Sequence, residues 1–390
     1  MAVDQLSGRR ESWGVKEEAR GWTPEDTLDD HGIGLDSFDL LTVAGLVNRR
    51  FRLYELGVEE YLLARRRFTE WGEVILYAWQ HQETPSIGFE TSGSTGEPQL
   101  VEHELAALEE EVACFGDVFP PAERVLSYVP AHHIYGFLFT VLMPVLEGSF
   151  VVPAYLNPLQ ASPAAGDRLV AFPDLWRMLA SQYPLSANMH GLSSTAPMPG
   201  ELAHTLRSDR GVHLFEIYGS TESSGVGYRE ETDGPYRLLP YWRRTPGQER
   251  VLERTRPEGL HRVELADHIE WLSDTSFRPA GRVDQQVQVG GTNVSPERIA
   301  AVIREHPAVA SCAVRLMKPH EGARLKAFVV PEGTLRPEGQ ADALSSLHHE
   351  LESWIQERLP AVERPADIVI GAQLPRNEVG KLADWPLSID

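Results

Sequence analysis

The sequence predicts an α/β protein that begins with a helical segment and ends with a small, mobile α/β domain. Three observations lead to this prediction. Residues 1–84 are helical in pattern, residues 85–283 alternate short apolar runs with Gly, Ser and Pro turns, and residues 284–390 alternate strand-like with helix-like runs. We therefore divide the chain into a helical segment (1–84), a large domain (85–283) and a C-terminal lid domain (284–390).

Local patterns predict individual elements along the chain. Apolar residues recur at helical spacing over 39–47, and Asp36 or Ser37 is placed to cap that helix. Ser295-Pro296 predicts a helix start, because Ser is a good cap and Pro fits the first turn. The other elements predicted for the C-terminal domain are strands at Val309–Leu316, Leu325–Val330 and 368–370 and a helix at 341–359.

Composition narrows the class of function. The 390 residues include 36 Lys and Arg against 57 Asp and Glu, which gives a formal net charge of −21. This acidic excess disfavours nucleic acid and anionic membrane as partners, since both are bound through clustered Lys and Arg. The first residues lack the apolar core of a signal peptide, and the apolar run Ile134–Leu146 is too short to span a bilayer. With only Cys114 and Cys312, we expect a cytoplasmic protein without a disulfide framework.

Two oxygen-rich turns follow apolar runs of the large domain. In TSGSTG at 91–96, the glycines let the backbone approach a ligand, and hydroxyl and N–H groups can surround an anion such as pyrophosphate. A polar linker is the alternative interpretation. In YGSTE at 218–222, the Thr and Glu oxygens together suit a phosphate and its magnesium ion. Taken alone, Glu222 is more typical of a solvated turn residue.

Two further signals with charged residues lie closer to the C-terminus. Asp274 precedes the run GRVD at 281–284, and its carboxylate could hold ribose hydroxyls together with the guanidinium of Arg282. Arg–Asp pairs are nevertheless usually structural. Lys381 follows Gly380 on a predicted turn, where a lone lysine is normally exposed to solvent.

In this order, the motifs resemble those of the adenylate-forming superfamily, which includes acyl- and aryl-CoA ligases, peptide-synthetase adenylation domains and luciferases. TSGSTGEP is similar to its phosphate loop, YGSTE to its adenine and magnesium motif, and VPAHHIYG at 129–136 to a motif that lines the acid pocket. GRVDQQVQVGGTNVSPERI at 281–299 is similar to its hinge motif, and LPRNEVGKL at 374–382 to its catalytic-lysine motif. The likeness covers residues 86–390.

The resemblance implies ATP and Mg2+ as cofactors, CoA or a phosphopantetheine thiol as acceptor, and a role for each matching residue. Lys381 would bridge the substrate carboxylate and the α-phosphate, Thr221 would contact the phosphates, and Glu222 would ligate Mg2+. Asp284 would be the hinge about which the lid domain turns between adenylation and thiolation. The other ATP- or AMP-binding residues would be Thr91, Ser92, Gly93, Ser94, Thr95, Gly96, Tyr218, Gly219, Asp274 and Arg282. The acid pocket would include His133, Tyr135, Gly136, Ser194 and Ala196.

Three departures from the family's pattern bear on these implications. Gln99 follows Pro98 where the phosphate loop usually has a lysine, and Gln288 stands at a position after the hinge that is often lysine. The phosphate loop also begins at Thr91, much earlier than is usual. We therefore expect a truncated large domain, whose remaining surface a second chain could cover in a homo-oligomer.

The N-terminal segment has a resemblance of its own. GIGLDSFDLL at 32–41 resembles the attachment site of acyl carrier proteins, and RFTEWGEVI at 67–75 resembles a carrier's last helix. The resemblance makes Ser37 a candidate phosphopantetheine site and a carrier protein a candidate partner. The alternative, which we favour, is that Asp36 and Ser37 simply cap a helix.

Taken together, the motifs predict an enzyme that uses ATP to convert a carboxylic acid to acyl-AMP and passes the acyl group to CoA or a carrier protein. The sequences of these motifs resemble those of aryl-acid ligases, including short hydroxybenzoate-activating enzymes of aryl-polyene and xanthomonadin-type pathways. Two alternatives stay open: a fatty- or amino-acid ligase, and a non-catalytic nucleotide-binding scaffold with the same fold. The presence of Glu222, Asp274, Arg282 and Lys381 argues against the scaffold.

Overall fold

The computed structural model describes residues 26–388 apart from 30–31, 92–98, 157–160, 186, 232, 257–258, 284–285, 319–320, 333–339 and 377–381. The described chain forms two compact units. The first contains residues 26–91, 99–265 and 270–278, and the second contains residues 266–269 and 279–388.

Three helices open the first unit: α1 (Ser37–Phe51), α2 (Glu60–Ala64) and α3 (Phe68–His81), with a 3-10 turn at Leu53–Glu55. The Asp36 carboxylate accepts hydrogen bonds from the backbone N–H groups of Phe38 and Asp39, and the Asp39 carboxylate accepts one from Asp36. This capping box confirms the predicted helix and its cap at Asp36. Ser37 is exposed and is the first residue of α1, so it is not the cap.

The strands of the first unit, including a hairpin that continues into the second, are β1 (Ser86–Thr91), β2 (Gln99–Glu104), β3 (Arg124–Ser127), β4 (Phe150–Val152), β5 (Arg168–Ala171), β6 (His190–Ser193), β7 (His213–Ser220), β8 (Ser224–Arg229), β9 (Tyr236–Leu238), β10 (Arg243–Arg244), β11 (Val251–Arg256), β12 (Gly259–Glu264), β13 (Asp267–Trp271) and β14 (Ser276–Arg282). The helices among them are α4 (Leu105–Gly116), α5 (Ile134–Phe137), α6 (Met143–Glu147), α7 (Pro173–Gln182) and α8 (Gly200–His204), with π-helical turns at Leu138–Leu142 and Thr205–Asp209.

A mixed nine-stranded sheet in the order β13-β14-β9-β8-β7-β6-β5-β3-β4 organises this unit. Its strands from β3 to β7 are parallel, and β8, β9 and β14 continue from β7 in antiparallel fashion. The parallel strands are short apolar runs because both faces of such a sheet are covered. Trp176 of α7 and Leu169 of β5 are fully buried in the core on one face. The carboxyl ends of β6 and β7 therefore lie at the same edge of the sheet.

The second unit contains β15 (Val287–Val289), β16 (Thr292–Val294), α9 (Pro296–Arg304), β17 (Val309–Leu316), β18 (Leu325–Pro331), α10 (Gln340–Arg358), a 3-10 turn at Ala361–Glu363 and β19 (Asp367–Ile370). Each element predicted from the sequence for this domain is confirmed, and Ser295 Oγ caps α9 by accepting a hydrogen bond from Arg298 N–H at 3.2 Å. Gly290 and Gly291 have positive φ angles of 55° and 82°, as a two-residue turn between β15 and β16 requires.

A buried lysine fastens the last described residues to the second unit. Lys326 of β18 is fully buried, and its Nζ donates to both carboxylate oxygens of Glu321 at 2.8 and 2.9 Å and to the Trp385 carbonyl at 2.6 Å. Asp384 pairs with Lys326 at 3.1 Å and with Lys318 at 2.5 Å. The Lys318 hydrogen bond is the largest of several effects that hold the pKa of Asp384 well below its usual range. We call Lys318, Glu321, Lys326, Asp384 and Trp385 the C-terminal anchor.

Among the residues that the structure describes, no helix combines the length and the apolar character needed to cross a membrane.

Candidate active site

The residues on either side of the predicted phosphate loop belong to two paired strands. β1 and β2 pair in antiparallel fashion, and their register ends where Thr91 faces Gln99. Thr91 is half-buried and Gln99 is exposed. Ser92, Gly93, Ser94, Thr95 and Gly96 lie outside the described residues, so their binding of ATP stays a prediction.

The YGSTE motif forms the end of β7 and a tight turn into β8. β7 extends through Ser220, Thr221 is half-buried, and Glu222 is exposed. Backbone and hydroxyl hydrogen bonds of 3.1 to 3.2 Å join Ser220 to Ser223 across the turn. A Cβ at Gly219 would overlap the carbonyl oxygen of Ser224, so the close approach of the two strands requires glycine there. The turn thus carries a hydroxyl and a carboxylate at consecutive positions.

A buried histidine contacts the backbone of this turn. His103 Nε2 lies 2.6 Å from the backbone carbonyl oxygen of Thr221, so the Nε2–H tautomer can donate to it. Burial lowers the pKa of His103 to about 4, and the ring is therefore neutral at pH 7. His103 carries no sequence signal of its own, because only its register opposite Ile87 in the β1–β2 hairpin places it inside.

A buried carboxyl group holds the strand that follows the turn. Glu111 Oε1 of α4 accepts a hydrogen bond from Gly225 N–H at 2.9 Å, and burial raises the pKa of Glu111 to about 7. Tyr241 Oη and Trp242 Nε1 donate to the Gly225 carbonyl at 3.0 and 2.9 Å. A sequence signal for Glu111 did exist, since it shares the helical spacing of the buried Leu108 and Phe115.

Tyr218, the predicted adenine-stacking residue, belongs to an aromatic cluster. Its ring centroid lies 5.6 Å from that of Tyr236 and 5.4 Å from that of Phe277, with the latter contact edge-on. Arg229 lies over Tyr236 at 4.6 Å from the ring centroid. These contacts fix the orientation of the half-buried Tyr218 ring at the end of β7.

The two predicted ribose-binding residues fall on either side of the division between the units. Asp274, in the turn between β13 and β14, has a fully exposed side chain that lies 3.5 Å from Arg244 Nη1. Arg282, the last residue of β14, donates to Gln286 Oε1 at 3.2 Å. Their joint grip on a ribose stays a prediction, and Asp284 and Lys381 lie outside the described residues.

The predicted acid-pocket motif forms a compact loop that enters α5. His133 is exposed at the helix N-terminus, and the Phe137 N–H donates to its carbonyl at 2.8 Å. Tyr135 is buried, and its hydroxyl donates to the Ala171 carbonyl at 3.1 Å. A Cβ at Gly136 would overlap the Pro130 carbonyl, so the loop can fold this tightly only around glycine.

The second predicted wall of the pocket follows β6. Ser194 is buried and its Oγ donates to the Ile217 carbonyl at 2.9 Å, which ties this loop to β7 just before Tyr218. Ala196 is half-buried. Thr195 has a φ of 74°, and among the described residues its buried Oγ1 has no hydrogen-bond partner. A strained β-branched residue of this kind is typical of functional loops.

Glu222 is the only carboxylate predicted to ligate Mg2+. Within the described ranges, no group of three or more His, Cys, Asp and Glu side chains could hold a metal ion by itself. A single exposed carboxylate fits Mg2+ that arrives with a nucleotide, because this ion keeps several waters and takes its other ligands from phosphates. The donor set thus suits nucleotide-borne magnesium.

The hydroxyl of Thr221 and the carboxylate of Glu222 follow the end of a parallel strand, and a separate small α/β unit follows later in the chain. Both features agree with the predicted adenylate-forming fold. Comparison with known sequences agrees: the profile of the AMP-binding enzyme family matches residues 77–249, and that of the AMP-binding enzyme C-terminal domain matches residues 298–381. The 4-coumarate–CoA ligase of Halorhodospira halophila is 39% identical over 381 residues, which are 97% of this chain and 95% of the relative.

The 4-coumarate–CoA ligase of Cereibacter sphaeroides is 35% identical over 378 residues, covering 93% of this chain and 86% of that protein. The structure of o-succinylbenzoate CoA synthetase from Bacillus subtilis superposes with a TM-score of 0.57 at 20% identity, covering 76% of this chain and 67% of that chain. The chain belongs to the AMP-binding enzyme family and is an AMP-forming acid–CoA ligase, which activates a carboxylic acid as acyl-AMP and transfers the acyl group to CoA.

Proposed function

We propose that the acid is a 4-hydroxylated aryl acid of the cinnamate type, 4-coumarate itself being the first candidate. The support is that two relatives named 4-coumarate–CoA ligase match almost the whole chain at 39% and 35% identity. The N-terminal helical segment is included in this match, since 97% of the chain aligns with the first of them. A hydroxybenzoate is the second candidate, because the motifs also resemble hydroxybenzoate-activating enzymes.

In the proposed reaction, the acid's carboxylate oxygen attacks the α-phosphorus of ATP, and pyrophosphate leaves. The CoA thiolate then attacks the acyl carbonyl carbon, and AMP leaves as a good leaving group. Lys381 would offset the charge that builds up at phosphorus in the first step only, and rotation about Asp284 would bring in the arrangement for the second.

Each residue predicted to bind the nucleotide has its own proposed role. Tyr218 would stack on adenine from its aromatic cluster, Thr221 would donate its hydroxyl to the phosphates, and Asp274 with Arg282 would bind the ribose hydroxyls. Glu222 would hold Mg2+, which supplies Lewis-acid charge neutralisation when bound. His103 keeps the Thr221–Glu222 turn in place by its hydrogen bond to the Thr221 carbonyl.

A carrier protein is a second candidate acceptor beside CoA because of the motif around Ser37. Several contacts favour a fixed N-terminal segment over a swinging carrier. Arg52 Nη1 contacts Ser86 Oγ at 3.2 Å and Glu102 at 3.1 Å, and Gln82 Nε2 donates to two carbonyls at the end of α1 at 3.1 Å. Since ATP and CoA are cytoplasmic metabolites, we place the reaction in the cytoplasm.

ATP–pyrophosphate exchange across a panel of acids tests the proposal. The panel contains 4-hydroxycinnamate, cinnamate, 4-hydroxybenzoate, benzoate, dodecanoate and phenylalanine. We expect the highest kcat/KM with 4-hydroxycinnamate, and CoA thioester on addition of CoA. Highest exchange with dodecanoate or phenylalanine would contradict an aryl-acid pocket, and highest exchange with 4-hydroxybenzoate would favour the second candidate.

A further inference from the structure

The end of α1 reaches the predicted acid-pocket motif through a buried arginine. Arg50 is only 4% exposed although it carries a charge. Its Nη1 donates to the backbone carbonyl of His132 at 3.2 Å, and its guanidinium carbon lies 5.7 Å from the centroid of the Phe89 ring. Burial of a charged side chain normally costs free energy, and the charge-assisted hydrogen bond to the His132 carbonyl offsets part of this cost.

The loop that Arg50 contacts has little freedom on its other sides. The His133 N–H points to the Pro130 carbonyl at 3.4 Å, and the absence of a Cβ at Gly136 lets the two ends of the loop touch. Phe137, one turn further on, packs against Phe89 at 5.5 Å. Arg50 and Phe137 therefore hold the loop between α1 and β1, and His133 lies at its exposed end.

The environment of the neighbouring histidine agrees with a fixed, neutral loop. Burial is the main cause that lowers the pKa of His132 to about 3, and the charges of His133 and Arg50 contribute to the same shift. The His132 and His133 rings lie 4.2 Å apart at 42°. Protonation of His132 would set a second cation beside Arg50, so the loop keeps one arrangement across the physiological pH range.

We propose that Arg50 is a positioning residue of the acid site: by holding the His132 carbonyl it sets the place of His133, and α1 thereby becomes part of the acid-binding wall. This inference rests on the proposed function, which assigns the acid to the 129–136 motif. This role gives Arg50 no contact with the substrate itself. Arg50 acts through the loop, and it comes from the helical segment that precedes the superfamily motifs at 91–382.

The test compares Arg50→Met and Arg50→Lys with Arg49→Met, a matched control on the same helix whose side chain is more than half exposed. We expect Arg50→Met to raise the KM for the acid about tenfold, the scale of one charged hydrogen bond, while the KM for ATP changes less than about twofold. Arg50→Lys should recover part of the loss, because an ammonium can still donate to the carbonyl. Arg49→Met should leave both constants unchanged.

A double-mutant cycle separates positioning from stability. If Arg50 acts through the loop, Arg50→Met should change the acid KM less than about twofold in a His133→Ala background. Additive effects, or equal rises in both KM values with a lowered melting temperature, would overturn the proposal.

The acid in every assay is the one that gives the most exchange with the wild type, so a failure of 4-hydroxycinnamate does not affect the result. Hydrogen exchange at 130–137 supplies a readout without turnover: it should increase in Arg50→Met and stay unchanged at 213–229. Unchanged exchange at 130–137 would also refute the role of Arg50.

Discussion

The buried carboxyl group of Glu111 leads to a quantitative prediction about stability and pH. Glu111 is fully buried, and burial raises its pKa from 4.5 to about 7 even though Arg254 is near. Glu111→Gln keeps an amide oxygen for the Gly225 N–H and removes the titration. The variant therefore reports what the buried carboxyl contributes at each pH.

The sign follows from the raised pKa. Between pH 4.5 and 7 the folded protein binds the proton that the unfolded chain has already released, so the free energy of unfolding falls as pH rises through this window. With these two pKa values, ionisation lowers the free energy of unfolding by about 3 kcal/mol at pH 8 and by about 1 kcal/mol at pH 5. The free energy of unfolding of Glu111→Gln, relative to that of the wild type, should thus increase by about 2 kcal/mol between pH 5 and pH 8.

Urea unfolding followed by tryptophan fluorescence at pH 5, 6, 7 and 8 measures this difference. Glu109→Gln, an exposed position on the same helix, is the control and should run parallel to the wild type. If Glu111→Gln also runs parallel to the wild type across this range, the carboxyl does not titrate there and the reasoning is wrong.

Three further predictions concern the catalytic cycle. Lys381→Ala should abolish acyl-AMP formation and leave transfer from supplied acyl-AMP largely intact, whereas Asp284→Pro should do the reverse by stiffening the hinge. Single-turnover assays of each half-reaction measure both effects. Near-normal adenylation by Lys381→Ala would contradict the role assigned to the lysine. Gln99→Lys adds a charge at the exposed start of β2 and should tighten ATP binding by up to about 1 kcal/mol in calorimetry, while weaker binding would mean that the loop is arranged differently from the family's. Incubation with a broad phosphopantetheinyl transferase and CoA should not change the intact mass, because Arg52 fixes the far end of α1 to Ser86 and Glu102 and so prevents the segment from swinging as a carrier. A mass gain that Ser37→Ala abolishes would show self-loading.

The sequence allowed much of the fold to be predicted where local signals are strong. Asp36 and Ser295 are caps with side-chain oxygens in place, and the strand at Val309–Leu316 is a continuous run with β-branched residues. The YGSTE motif was found because glycine, hydroxyl and carboxylate follow an apolar run directly. Arg50 could not be found in this way. Its burial depends on Phe89 and His132, which are far away in sequence and meet it only after α1 packs on β1.

The C-terminal anchor has a practical consequence for anyone who shortens or extends this chain. The ammonium of Lys326 is buried away from solvent, so water cannot replace a lost hydrogen-bond partner. Removal of residues from Asp384 onward would therefore leave one of its N–H donors without the Trp385 carbonyl. An unsatisfied buried donor costs about 1–3 kcal/mol, and more when the group is charged, so the loss would destabilise the second unit. Affinity tags are therefore better joined beyond residue 388, and a protease site introduced between 382 and 388 would report on whether the tail stays in place.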